Sequence, residues 1–272
     1  MPELAEVEFY RKKWNPGLQL KIKEVLFSEE VGVFRNCNIK KLSKLLRCEK
    51  LISSETHGKQ MLFKCSGNIW LGVHLGMSGF LKVEDLKYKL EKHDHFALKT
   101  DELHLIYNDH RQFGQIRIEK NKEYPSWFQN LPPSILSDDF LYENVSKFLE
   151  RRKKSPIKAV ILDQRQFPGI GNWLADEILF RAQIKPSRLT SSLKKREKIT
   201  LFDTIIKTCL DAMEVMGSDG GGVRKHMLNK APEDWLFNYR WKGGFNCPKT
   251  GKLLLREQIA GRTTCWSPHW QK

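Results

Sequence analysis

The stretch Gln60-Met61-Leu62-Phe63-Lys64-Cys65-Ser66-Gly67-Asn68-Ile69-Trp70-Leu71-Gly72-Val73-His74 carries two apolar runs on either side of a turn. Ser66-Gly67-Asn68 supplies residues that tolerate the backbone of a hairpin reversal, so Gln60–Cys65 and Ile69–His74 read as adjacent antiparallel strands. Working outward, further strands are expected at Leu20–Phe27, Phe80–Val83, His95–Lys99, Leu103–Tyr107 and Gln115–Glu119, several of them alternating apolar and polar residues. That many short strands at close spacing point to a β-sandwich.

Residues 1–14 read as a short helix, because Leu4, Val7, Tyr10 and Trp14 recur at helical spacing. Pro2 suits its first turn, where a missing N–H costs nothing, and Asn15-Pro16-Gly17 stops it. Residues 123–136 hold Pro125, Pro132 and Pro133 without periodicity and read as a linker. Ser137-Asp138-Asp139 is placed to cap a helix. Helical patterns follow at 139–151, 156–163, 172–183 and 191–216, with Asn172 expected as an N-cap. Gly217–Gly222, with four glycines in six residues, reads as a mobile break. The tail carries Gly243-Gly244, Thr250-Gly251 and the apolar runs Leu253–Leu255 and Thr263–Trp266, the pattern of a small β-hairpin. The expectation is an α+β chain. Its N-terminal helix and β-sandwich occupy 1–122, a linker 123–136, a helical domain 137–237 and a hairpin appendage 238–272.

Lys and Arg number 47 against 32 Asp and Glu in 272 residues, a net charge of +15. Such an excess calls for a polyanionic partner, nucleic acid first and an acidic membrane surface second. No apolar run approaches the length of a membrane helix. Glu3, Glu6 and Glu8 are wrong for a secretory signal. A soluble intracellular protein is expected, in the cytoplasm or nucleoid of a prokaryote or the nucleus of a eukaryote. The six cysteines include no pair at C-x-x-C spacing, so neither a disulfide framework nor a zinc site is advertised.

Five groups of residues could carry chemistry. Removal of Met1 would leave Pro2 as a free amine. An α-amine titrates near about 8, against about 10.4 for lysine, so far more of it is uncharged and nucleophilic at neutral pH. Glu3 beside it could shuttle protons; the plainer reading is that these acids only complement the helix dipole. Lys59, in Gly58-Lys59, is a phosphate contact or a solvated turn lysine. Asp163–Asn172 ends in Gly169-Ile170-Gly171-Asn172 and follows Arg151-Arg152-Lys153-Lys154 and Lys158. It reads either as a phosphate-clamping turn between helices or as an ordinary connection. Met77, Arg111 and Phe113 lie in two turns and are the residue types that wedge into a base stack, unless Met and Phe are core. In the tail, Cys247, Cys265 and His269 are the only plausible ligands near the hairpin, a poor zinc set. Arg262, between two expected strands, is a candidate DNA contact.

Together these residues resemble the formamidopyrimidine-DNA glycosylase / endonuclease VIII family of DNA repair enzymes. The likeness runs in order through Pro2–Glu8, His74-Leu75-Gly76-Met77-Ser78-Gly79, Lys92-His93-Asp94-His95, Gly169–Asn172 and the tail. It implies a helix–two-turn–helix in the helical domain and a finger hairpin at the C-terminus. It implies a bifunctional glycosylase and abasic-site lyase acting through a Pro2 Schiff base with β,δ-elimination. Glu3 would donate protons, Glu6 would support the site, and Lys59 would contact phosphate and help catalysis. His74, Lys158, Gly171, Asn172 and Arg262 would bind DNA, and Met77, Arg111 and Phe113 would fill the void left by a flipped base. The partner implied is duplex DNA with oxidised bases or abasic sites, bound by a monomer without a cofactor.

Three departures stand out. Ala5 replaces a usual proline, Gln112 replaces a usual second arginine, and the four-cysteine set is missing. The finger is therefore expected to be zincless, held by packing from Trp241, Trp266 and Trp270. The Met77, Arg111, Phe113 set favours 8-oxoguanine and formamidopyrimidines, with oxidised pyrimidines as the alternative. A loop covering a flipped purine would fall near Gly217–Lys230. The competing classes are a nonenzymatic binder of damaged DNA and an RNA-binding module.

Overall fold

The structure, a computed structural model, describes residues 1–28, 31–35, 37–218 and 231–272. Much of the Gly217–Gly222 break and of the base-covering loop expected near Gly217–Lys230 lies outside the described residues. The chain divides into two compact units, Met1–Leu131 and Pro132–Lys272.

Unit 1 opens with helix α1 (Leu4–Lys13). Strand β1 (Glu24–Phe27) and helix α2 (Ile39–Leu46) follow. Then come β2 (Leu51–His57), β3 (Gln60–Cys65), β4 (Ile69–His74), β5 (Phe80–Asp85), β6 (Asp94–Lys99), β7 (Leu103–Asn108) and β8 (Gln115–Lys120). Two four-stranded antiparallel sheets form, in the orders β2-β3-β4-β8 and β1-β6-β7-β5. Alternation decides the faces. Met61, Phe63 and Cys65 of β3 join Leu71 and Val73 of β4 and Phe96, Leu98, Leu105 and Tyr107 of the other sheet in one core. Leu62 and Trp70 point the other way, against Phe128.

That outward contact corrects the linker reading at its start. Ser126–Gln129 is a short helix, α3, and Trp127 and Phe128 cover β3 and β4. A Cβ on Gly72 would sit 2.6 Å from the Trp127 ring, so glycine is what lets the indole lie on the strand. The first strand is shorter than Leu20–Phe27, because Gln19 adopts φ 68° and residues 18–21 make only isolated bridges. Two elements escaped the sequence reading. Strand β2 lies at a sheet edge and is polar from Ser53 to His57. Helix α2 is capped by the Asn38 side chain, which accepts from Lys41 N–H at 3.1 Å.

Unit 2 contains α4 (Tyr142–Arg151), α5 (Ile157–Ile161), α6 (Asn172–Arg181) and α7 (Lys195–Val215). A hairpin of β9 (Leu255–Ile259) and β10 (Arg262–Trp266) ends it. Helix α6 packs on α5, α7 and β10. Two caps differ from expectation. Leu141, not a residue of Ser137-Asp138-Asp139, holds the N-cap position of α4, and no side chain caps the helix. Gly171 caps α6, and Asn172 is its first helical residue. The hairpin begins at Leu255 rather than Leu253 and turns through Ala260-Gly261, both with positive φ, a tight two-residue reversal. Among the described residues, no helix is long and apolar enough to cross a membrane.

Candidate functional site

In unit 1, strand register gathers the chemistry-bearing residues at one end of the sandwich. Gln60 pairs with His74, and His74 with Gln115. The turn Gly58-Lys59 before β3, the loop 75–79 after β4 and the loop 109–114 before β8 therefore leave the same end of one sheet. Helix α1 is aligned to that end by side chains. Glu8 accepts from Thr56 Oγ1 at 2.8 Å, and Arg11 Nη1 donates to Ser54 Oγ at 2.8 Å. Moving toward the helix N-terminus thus moves forward along β2, toward Lys59. Pro2 and Glu3 lie at that helix end, both buried, behind an exposed Met1. Glu3 N–H donates to Glu6 Oε2 at 2.9 Å, so Glu6 fixes the backbone at Glu3.

His74 is half-buried, and its Nδ1 accepts from Gly76 N–H at 3.2 Å. Burial first, then the charges of Lys59, Arg35 and Arg117, push its pKa down to about 4. It is a neutral imidazole in a strongly positive setting, which suits a polyanion. Met77 is partly exposed, Arg111 is exposed, and Phe113 is 52% exposed. The Arg111 guanidinium lies 4.9 Å from the Phe113 ring centre. The core reading of Phe113 is therefore corrected: it stands in solvent. Gln112, at φ 54°, accepts from Gly32 N–H at 3.1 Å, and Arg35 donates to Gly114 O at 2.7 Å. Arg35 drew no attention in the sequence, since its partner is 79 residues away.

In unit 2 a buried carboxylate organises the site. Asp176 accepts from Lys158 Nζ at 2.5 Å, from Arg240 Nη2 at 2.7 Å and from the Cys265 N–H at 3.1 Å. Lys158 is 0% exposed. Its expected grip on a DNA phosphate is therefore corrected: in this arrangement its ammonium is spent inside the protein, tying α5 to α6 and to Thr263 O at 3.2 Å. Asn172 Nδ2 donates to the same carbonyl at 2.9 Å. Gln164 closes the glycine turn, donating to Ile170 O at 2.7 Å and accepting from Gly169 N–H at 3.2 Å. Gly171 is buried at the head of α6, while Arg262 is exposed at the tip of the hairpin. Asp176 and Arg240 were missed by sequence reasoning, because nothing local marks a pair 64 residues apart.

The hairpin is held by this ion cluster and by packing. Cys247 and Cys265 are buried with Phe180, Leu236 and Leu254. Burial first, then the Asp176 carboxylate, push the Cys265 thiol up to about 12. Trp266 is buried, and Trp270 Nε1 donates to Phe180 O at 3.0 Å. Trp241 is exposed, edge-on to Phe237 and 4.9 Å from the Arg240 guanidinium, so it flanks the ion cluster rather than joining the buried apolar cluster of the hairpin. His269 is exposed. Among the described residues, no group of three or more His, Cys, Asp or Glu could hold a metal ion.

Comparison with known proteins covers both units. Residues 1–116 match the formamidopyrimidine-DNA glycosylase N-terminal domain, and residues 131–224 its H2TH domain. A formamidopyrimidine-DNA glycosylase of Carboxydothermus hydrogenoformans is 30% identical over 275 residues, covering 100% of each chain. Lactococcus lactis Fpg (MutM), solved with DNA containing an oxidised pyrimidine, superposes with a TM-score of 0.86 at 26% identity over 100% of each chain. MutM solved with DNA containing carbocyclic 8-oxo-G gives the same TM-score of 0.86, 26% identity and 100% coverage of each chain. A sheet domain followed by a helix–two-turn–helix domain, in this order, defines a DNA glycosylase of base excision repair. The chain belongs to the formamidopyrimidine-DNA glycosylase family.

Proposed function

We propose that this chain is a bifunctional glycosylase and abasic-site lyase that removes oxidised bases from duplex DNA, acting as a monomer. The observation that carries the reading is the gathering of the α1 N-terminus, Lys59, His74 and the Met77 and Arg111–Phe113 loops at one end of the sandwich. With Met1 removed, the Pro2 nitrogen is a secondary amine at a helix N-terminus, whose dipole favours the uncharged, nucleophilic form. It attacks the sugar C1′, and the bond to the base breaks as Glu3 delivers a proton to the opened sugar or the leaving base. The resulting iminium acidifies the neighbouring C2′–H, so β- and then δ-elimination cut the strand. Glu6 holds Glu3 through its backbone N–H. Lys59 and neutral His74 face phosphate.

Met77, Arg111 and Phe113 fill the space left by the flipped base. On unit 2, the Gly171-Asn172 turn and Arg262 contact the backbone. Lys158 acts from inside, holding the hairpin that carries Arg262. The favoured lesions are 8-oxoguanine and formamidopyrimidines. Oxidised pyrimidines are the second reading, favoured by the Lactococcus lactis relative solved with such a lesion. The test is an excision panel of purine and pyrimidine lesions opposite each base, run with wild type and Pro2→Gly. Pro2→Gly should lose excision while keeping duplex affinity; a variant that excises at the wild-type rate removes the nucleophile assignment.

A further inference from the structure

The residue that ties the two wedge loops together is Asp109. Its carboxylate is 0% exposed. Oδ1 accepts from Ser78 Oγ at 2.5 Å and from Arg111 N–H at 3.2 Å; Oδ2 accepts from Gly114 N–H at 2.8 Å and from Tyr107 Oη at 3.1 Å. Its backbone is held as well, with N–H donating to His93 O at 3.0 Å and the carbonyl accepting from His95 Nε2 at 3.1 Å. Three of the four donors to the carboxylate sit at or beside a wedge residue, and the fourth, Tyr107 Oη, comes from the strand beneath. Ser78 follows Met77, Gly114 follows Phe113, and Arg111 is held by its own N–H.

The loops also touch through bare backbone. A Cβ on Gly76 would lie 2.4 Å from Gly114 N, and one on Gly114 would lie 1.7 Å from Tyr107 Oη. Neither loop can shift without breaking bonds to a buried carboxylate, and an unsatisfied buried carboxylate is costly. Burial and the neighbouring carboxylate hold the Tyr107 phenol protonated, well above the usual range, so it stays a donor.

We propose that Asp109 is a positioning residue that locks the Met77 loop and the Arg111–Phe113 loop into one preorganised wedge. The inference rests on the void-filling role given to those three side chains above. A rigid wedge enters the base stack without losing conformational entropy at that moment, so base extrusion is faster. Asp109 touches no reacting atom.

The test compares single-turnover excision from a matched duplex with excision of the same lesion from a single-nucleotide bulge, where extrusion is already made. Asp109→Asn should slow the matched duplex about tenfold or more, since its amide nitrogen cannot accept from the donors it faces. It should act on the bulge within about threefold of wild type. Tyr107→Phe and Ser78→Ala each remove one donor and leave the carboxylate, and should show the same selective defect in smaller measure should Asp109→Asn not fold. Fluorescence of a 2-aminopurine beside the lesion should report slower unstacking in all three. Equal slowing on both substrates would mean a purely structural role and overturns the proposal. Phe113→Ala separates the two layers. If it too excises normally from matched duplex, the wedge reading itself fails; if it is slow while Tyr107→Phe and Ser78→Ala are not, only the locking role fails.

Discussion

Replacing Asp176 by asparagine removes one charge from a buried set of three. Lys158 is 0% exposed and Arg240 7% exposed, and both lean on this one carboxylate at 2.5 and 2.7 Å. At an effective dielectric of about 20, each attraction is about 6 kcal/mol before desolvation is counted. Most of that is offset by the cost of drying the ions, and the net loss on breaking a buried pair is about 3–5 kcal/mol. For a unit of this size that lowers the melting temperature by about 10 °C. Lys158→Met should be milder, because it leaves the Asp176–Arg240 pair balanced. The asymmetry is the diagnostic. Urea unfolding of the full chain measures the stability change. Hydrogen exchange at the Cys265 amide, whose N–H is bonded to Asp176 Oδ2 at 3.1 Å, reports whether β10 has come loose. A loss below about 1 kcal/mol, the size of an exposed pair, or Lys158→Met proving as damaging as Asp176→Asn, would show that the Asp176 carboxylate is not what balances the two buried cations.

His74 should make the protein acid-sensitive. Its pKa falls from 6.5 to about 4 in the folded chain, so the unfolded chain binds more protons across that window and stability drops as pH is lowered through it. The span corresponds to about 3 kcal/mol at most. His74→Gln should flatten this part of the stability–pH curve, and an unchanged slope contradicts the assignment. Arg262→Ala should weaken duplex binding and reduce the steepness of its salt dependence by about one counterion; an identical salt slope removes Arg262 from the interface. Gly114→Ala should destabilise unit 1 by about 3 kcal/mol or more, since its Cβ has no space beside Tyr107 Oη. A thermal melt within a degree or so of wild type would show that the loop has slack.

What was legible in the sequence was local. The strands Gln60–Cys65 and Ile69–His74 stand where alternation and the Ser66-Gly67-Asn68 turn put them. Strand β2 was hidden because an edge strand need not alternate apolar residues, and Ser53-Ser54-Glu55-Thr56 looks like a loop. Asn172 was misjudged by one position because its amide serves a carbonyl 91 residues on rather than its own helix. The burial of Lys158 had no sequence signal, since a lysine in a basic region reads as solvated until its partners, Asp176 and Thr263 O, are brought to it by the fold. Asp109, two residues before Arg111, drew no attention, because its Ser78 partner is 31 residues distant.

The most direct test of the account traps the intermediate. Processed protein is incubated with lesion-containing duplex, reduced with borohydride and digested, and the cross-linked peptide is sequenced by mass spectrometry. The account predicts a single adduct, on the nitrogen of Pro2 with Met1 removed. An adduct on Lys59, or none at all with a chain whose N-terminus is shown to be Pro2, contradicts it.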